Sequence, residues 1–324
     1  MNSIWLALTY IKGLGTKKIK NIYEAFPDLQ LADFQNGKIE HIIKIVKNKT
    51  IAETLYDFDL IQDYAKKAIQ SVKFHQENEI SVITIGDAWY PDLLKKLEDP
   101  PIVLYCKGNI ELLQSNKNIA IVGTRNPTNK GKQMAKRIAQ IFSEKDFTIV
   151  SGLALGIDTE AHIGTLDANG KTIAVLAGGL DTIYPKENLS LAEKIIEKDG
   201  LLISEKPIQS KMYSAAFVQR DRIQSGLSIA VCPIQTDIKG GTQNTIGFAK
   251  KQNRLLFCPV PMEDVPQTMG IKQLLEEGII ELRTTKDIPI ILNHIAEKMN
   301  ELTNGLSELP IENEPISKQL DLFN

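Results

Sequence analysis

Four apolar runs in this sequence stop at small residues, and one of the four turns adds a fixed positive charge. They are Gly123-Thr124-Arg125, Ser151-Gly152, Gly178-Gly179 and, after a run ending at Ile234, Lys239-Gly240-Gly241-Thr242. Small residues at strand-to-helix turns let backbone N–H groups and helix N-termini converge on one point, which suits a phosphate or another anion. Arg125 supplies a planar guanidinium that grips a phosphate through two donors. The segment after Val122 lacks a G-x-G-x-x-G fingerprint, and no G-x-x-x-x-G-K-[ST] occurs, so neither a standard dinucleotide site nor an ATP loop is expected, and no cofactor is assigned. An acid–base reading rests on Asp158 and His162, four apart in G-I-D-T-E-A-H and therefore on one helix face. No nucleophile or second carboxylate accompanies them. The expected reading is that Asp158 caps a helix and His162 bonds locally. None of the four histidines has metal-ligand spacing, and Cys106, Cys232 and Cys258 show no His and Asn partner pattern. Catalytic and metal-binding residues are therefore expected to be none.

These turns need a scaffold, and the residues between about 117 and 262 describe one. The runs N-I-A-I-V-G, F-T-I-V-S-G, K-T-I-A-V-L-A-G-G, G-L-L-I-S-E, L-S-I-A-V-C-P and R-L-L-F-C-P alternate with helical patterns such as Gly131 to Glu144 and Asn188 to Lys198. Short continuous apolar strands joined by helical crossovers predict an α/β fold with a doubly wound, Rossmann-like parallel sheet. Ligands of such sheets bind beyond the carboxyl ends of the strands, where the four turns fall. Two further β-rich runs, Ile80 to Ile85 and Ile102 to Cys106, flank a short helix and the Pro100-Pro101 stop, and are expected to extend the sheet. The N-terminal part is lysine-rich and helical in pattern. Within it, I-K-G-L-G-T-K-K-I places a Gly-x-Gly turn between helical runs, resembling a helix-hairpin-helix that holds phosphates; a plain helix–helix turn is the alternative. The expected division is a small all-α, helix-hairpin-helix or SAM-like domain at 1–72, an extended Rossmann-like domain at 73–290, and a terminal helix with a flexible tail at 291–324.

Composition narrows the class. The chain has 324 residues, is 43% hydrophobic and 24% charged, and carries a formal net charge of −2. No 18-residue apolar run is present, no signal peptide is read at Met1 to Ile11, and the odd number of scattered cysteines fits a reducing compartment. A cytoplasmic protein without a membrane partner is expected. Near-zero net charge leaves room for a local basic cleft.

The ordered segments I-A-I-V-G-T-R-N-P-T-N-K-G, I-V-S-G-L-A-L-G-I-D-T-E-A-H, T-I-A-V-L-A-G-G-L-D-T-I-Y-P-K-E-N, I-S-E-K-P and F-V-Q-R-D-R-I-Q-S-G-L-S resemble the signature of the DprA/Smf DNA-processing family. The likeness extends upstream through G-D-A-W-Y-P-D-L-L and D-P-P-I-V-L-Y-C-K-G-N and spans about 75 to 260. The resemblance implies a non-catalytic, usually dimeric protein that binds single-stranded DNA and helps load RecA-type recombinase, in DNA uptake, recombination or repair. It matches Arg125 to a phosphate ligand with Thr124 in a serine's place. It also matches Phe217, Arg220 and Arg222 to a segment whose aromatic stacks on a base while its arginines face the strand's backbone, a division of labour that suits single strands. Val218, Asp221, Leu155, Gln235 and Gly240-Gly241-Thr242 depart from the family pattern, which reads as a divergent member with a weakened or retuned surface. The alternative is a nucleotide-derivative-binding sensor or a phosphoribohydrolase-like enzyme on the same kind of domain, although Gln235 is uncharged where such an enzyme would need an acid.

In place of the family's frequent C-terminal winged-helix domain, an acidic, proline-containing stretch follows residue 300 and is expected to be mobile. It leads to Gln319-Leu320-Asp321-Leu322-Phe323. That peptide resembles the one by which bacterial polymerases and repair proteins attach to the β sliding clamp: Gln319 would hydrogen-bond at a rim while Leu320, Leu322 and Phe323 fill an apolar pocket. The alternative is that Leu322 and Phe323 fold back onto their own domain.

Overall fold

The computed structural model describes residues 3–303, so the peptide 319–323 lies outside the described residues. Five helices come first: α1 (Ile4–Leu8), α2 (Thr16–Ala25), α3 (Lys38–Val46), α4 (Lys49–Tyr56) and α5 (Phe58–Glu77). Local chemistry starts two of them. The Asn48 side chain accepts from Ile51 N–H, and the Asp57 side chain accepts from Leu60 N–H, each satisfying an otherwise orphaned donor. Trp5 is fully buried and meets Tyr23 edge-on at 5.3 Å. Gly86, beyond the helical region, packs so closely on the Trp5 indole that a Cβ there would overlap it. One continuous apolar core joins residues of α1 through α5 to residues of the sheet and its helices as far as Leu274 of the helix at Pro266–Glu276. The helical region is therefore built onto the sheet, and α5 runs through the expected boundary at 72.

The sheet region follows as β1 (Ser81–Thr84), α6 (Asp92–Lys95), β2 (Val103–Gly108), β3 (Asn118–Val122), α7 (Asn129–Ser143), β4 (Thr148–Ser151), α8 (Ile157–Asp167), β5 (Thr172–Val175), α9 (Leu189–Glu197), β6 (Leu201–Ser204), α10 (Ser214–Leu227), β7 (Ala230–Pro233), α11 (Thr242–Lys251), β8 (Leu255–Pro259), α12 (Pro266–Glu276), β9 (Ile280–Leu282) and α13 (Ile288–Thr303). The strand order is β1-β2-β6-β5-β4-β3-β7-β8-β9. Strands β3 to β9 are parallel, whereas β1 and β2 add an antiparallel extension beside β6. The chain winds from β3 outward to β6, returns to pair β7 with β3, and then winds the other way. Strands β3 and β7 therefore flank the switch point at which such folds open a crevice.

Alternation along β3 divides the core. Ile119 and Ile121 face one apolar cluster with Ile138 of α7, Ala161 of α8 and Ile291 of α13, while Ala120 and Val122 face the other. Two expectations shift. The run from Leu227 to Ile234 contains only a four-residue strand, because Leu227 completes α10. Helix α13 begins at Ile288 and buries Ile288, Ile291, Ile295 and Met299 in the same cluster as α7. It is thus part of the sheet body and crosses the expected boundary at 290.

Candidate functional site

The carboxyl ends of β3 and β7 open onto a cleft of about 400 Å³, walled by the β3–α7 loop, by α10 and by the start of α11. Close packing shapes the loop. A Cβ on Gly123 would overlap the Ile157 side chain of α8, so only glycine lets the loop lie this near the helix. The loop is then tied from just beyond β7: Thr124 N–H donates to the Gln235 carbonyl at 2.8 Å. Gln235 Oε1 accepts from Thr128 N–H at 3.0 Å, and its Nε2 donates to Thr128 Oγ1 at 2.9 Å. Thr128 Oγ1 also accepts from Gly131 N–H at 3.1 Å, which caps α7. Gln235, which replaces an expected acid, thus works as a strut that fixes the loop.

Arg125 projects from this strutted loop, exposed and without an ion pair among the described residues. Its guanidinium lies 5.2 Å from the centroid of the half-buried Phe217 ring, and Tyr184 meets the same ring edge-on at 5.7 Å. Gly240, Gly241 and Thr242 line the opposite wall at the start of α11. A smaller pocket of about 40 Å³ shares Arg125, Phe217 and Arg220 with the cleft and adds Gly152, Gly178 and Tyr184.

The other expected ligands stand differently, and burial explains each. Arg220 is inside: its Nη1 donates to the Gly152 carbonyl at 2.5 Å and the Val175 carbonyl at 2.7 Å, and its Nε lies 3.2 Å from Asp221 Oδ1. With its amide oxygen turned toward Arg220, Gln224 accepts from the same guanidinium at 2.8 and 2.9 Å. Arg222 is equally buried. It reaches Glu205 Oε2 at 2.7 Å and Asp99 Oδ2 at 3.4 Å, and it does not line the cleft. Both arginines are expected to face a strand's backbone; here their guanidiniums tie α10 to the residues around it, Arg220 at the wall of the cleft and Arg222 away from it. Ser151 is buried, with its Oγ donating to the Ile121 carbonyl at 2.7 Å. Gly152 and Gly178 line only the small pocket, and Gly179 is closed in by the Pro207 carbonyl. Lys239 is exposed on the β7–α11 loop and is not among the cleft-lining residues.

The two acids and the histidine are also explained by burial. Asp158 Oδ2 accepts from Gly152 N–H at 3.1 Å and Ala154 N–H at 3.4 Å, so it holds the β4–α8 turn, while desolvation keeps its pKa raised. His162 is fully buried and bonds Thr172 Oγ1 through Nδ1 at 2.7 Å; burial and Arg220 push its pKa down to about 3. Asp158 and His162 face different partners and form no acid–base pair. Asp221 lines the cleft, where burial pushes its carboxyl up to about 6 against the opposing pull of Arg220. Gln224 was missed by the sequence reading, although its i+7 spacing from Phe217 marks the same face of α10. Among the described residues no group of three or more His, Cys, Asp or Glu is arranged to hold a metal ion, and no helix is long and apolar enough to cross a membrane. In the N-terminal turn, Gly13 takes φ +85° and Gly15 precedes α2, but neither lines the cleft.

Comparison with known proteins gives a consistent pattern. The family model for DNA recombination-mediator protein A matches residues 81–316. DNA processing protein DprA of Bacillus subtilis is 39% identical over 229 residues, covering 70% of this chain and 76% of that protein. Protein Smf of a Synechocystis strain is 36% identical over 283 residues, covering 85% of this chain and 68% of that protein. The X-ray structure of DprA from Streptococcus pneumoniae matches with a TM-score of 0.72 at 27% identity, covering 90% of this chain and 98% of that one. A structure of DprA from Helicobacter pylori, concerned with that protein's single-stranded DNA binding mode, matches with a TM-score of 0.58 at 29% identity, covering 71% of this chain and 98% of that one.

Proposed function

The chain belongs to the DNA recombination-mediator protein A (DprA/Smf) family, and from that premise we propose that it binds single-stranded DNA in the cleft beyond the carboxyl ends of β3 and β7. The observation that carries the reading is Arg125: an exposed cation on a loop strutted by Gln235, laid against Phe217 at the switch point of the sheet. A guanidinium for a phosphate beside an aromatic face for a base is the pairing that single strands require. The protein acts without catalysis. Asp158 and His162 are committed to internal bonds, and Gln235 supports a loop, which leaves the position at which the hydrolase alternative would look for its acid uncharged.

The strand-binding role extends to delivery of coated DNA to a RecA-type recombinase by a homodimer, with Gln319, Leu320, Asp321, Leu322 and Phe323 as an attachment to the β sliding clamp. Fluorescence anisotropy with labelled oligonucleotides beside a panel of nucleotides tests the core of the proposal. Strand binding that weakens with salt is expected. Tight nucleotide binding without strand binding would replace it with the sensor or enzyme reading. Acceleration of recombinase filament formation on strands precovered by single-strand-binding protein tests the mediator role, and no acceleration rejects it. Calorimetry with purified clamp, using the full chain and Leu322→Ala with Phe323→Ala, tests the tail, since each released anchor should cost about 1.5 to 3 kcal/mol.

A further inference from the structure

Phe217, Asp221 and Gln224 occupy one stripe of α10, four and three residues apart, and all three line the cleft. Positions four apart on a helix are neighbours about 6 Å along its axis, so a base stacked on Phe217 has its edge within reach of Asp221. The Asp221 carboxylate is fixed there. Arg220 Nε lies 3.2 Å from Oδ1, while Oδ2 has no hydrogen-bond donor among the described residues. The charged groups around it come from several elements: Arg220 on the same helix, Asp158 on α8, Arg125 on the β3–α7 loop, and Asp237 on the β7–α11 loop. Two cations against three carboxylates make a poor general trough for phosphates, and Arg220 is already engaged by two backbone carbonyls. A phosphate is drawn to Arg125 and repelled from Asp221, which leaves the base to meet Asp221.

We infer that Asp221 is a specificity-determining residue that accepts from an amino group on the base stacked at Phe217, so that the cleft favours cytosine-bearing over thymine-bearing strands. The inference rests on the strand-binding reading above. An ionised carboxylate only accepts hydrogen bonds. Cytosine presents its N4 amino group as a donor, whereas the thymine edge presents O4 and O2 acceptors on either side of N3–H, and these repel a carboxylate. An asparagine at this position would lack the preference, because its amide accepts from cytosine N4 and donates to thymine O4 equally well.

The test uses the full chain and two unstructured pyrimidine strands of equal length, labelled oligo(dC) and oligo(dT), with affinity read by anisotropy at pH 7.5. The wild type should bind oligo(dC) about tenfold more tightly, the ratio expected for one charge-assisted hydrogen bond. Asp221→Asn, nearly isosteric, should bind both strands within about twofold of each other. Asp221→Ala should lose the preference as well. The ratio is the decisive readout, because a carboxylate that merely positions Arg220 would change both affinities together. Equal binding of both strands by the wild type overturns the inference, as does an unchanged ratio in Asp221→Asn. A uniform gain for both strands would mean that Asp221 only repels phosphate, which also overturns it. If neither strand binds, the strand-binding reading itself fails and takes this inference with it.

Discussion

The β3–α7 loop and helix α10 both bring arginine to the same cleft, and the two segments use it in opposite ways. On the loop, a glycine lets the backbone pass against α8 and Gln235 holds it in place, so Arg125 is left pointing outward with its charge uncommitted. On the helix, Arg220 and Arg222 turn inward and are consumed by carbonyls and carboxylates. The lesson is that a cation's role follows from what surrounds its side chain. A loop arginine left exposed beside an aromatic is free to meet a ligand, whereas an arginine about two turns into a helix and closed in by carbonyls and carboxylates is a structural tie.

Substitutions break this comparison in graded ways, beginning with the inner arginine. Arg220→Ala strands two buried carbonyls and the carboxylates of Asp221 and Asp158, and should lower the unfolding free energy by about 3 kcal/mol or more. Urea denaturation measures it; a loss below about 1 kcal/mol would mean that the guanidinium is not a structural tie.

Gly152→Ala tests the same tie from the other partner. Its new Cβ would overlap the Arg220 guanidinium, and overpacking of this kind costs about 1 to 3 kcal/mol. The same denaturation experiment reads it, and an unchanged midpoint would show that Arg220 has room to move.

Asp221 gives a pH-dependent version. Its carboxyl is pushed up to about 6 in the folded protein, above the ordinary value of about 3.9 in an unfolded chain. Between those values the folded state holds a proton that the unfolded state has released, so stability falls as pH rises and the loss is complete above about 6. Asparagine does not titrate. The stability of Asp221→Asn relative to the wild type should therefore rise between pH 4 and 7, by on the order of 2 kcal/mol. A difference independent of pH would place the Asp221 carboxyl in an ordinary aqueous environment.

Much of this was legible in the sequence, and particular residues show why. Strands of four or five apolar residues ending at small residues identify the doubly wound sheet, because only strands covered on both faces read that way. Gly123 and Arg125 are visible for the same reason: a turn at the end of such a strand has few other uses. The inward turn of Arg220 and Arg222 is not visible, since their partners Gly152, Val175, Glu205 and Asp99 lie 17 or more positions away along the chain. The fusion of the helical region with the sheet was hidden likewise. It depends on Trp5 meeting Gly86 and on His75 Nε2 accepting from Ile208 N–H at 3.2 Å, contacts that no local pattern encodes.

The smallest expected change in stability belongs to Arg125→Ala, which removes an exposed side chain and should leave the unfolding free energy within about 0.5 kcal/mol of the wild type. Its effect belongs instead to binding, and that contrast is the most direct test of the central claim. Anisotropy titrations of a labelled mixed-sequence single strand over a series of salt concentrations, with the wild type and Arg125→Ala, measure it. The claim predicts weaker binding by the variant and a salt slope shallower by about 0.7, the value for one lost phosphate contact on a single strand. A variant that binds with the wild-type affinity and slope would contradict it.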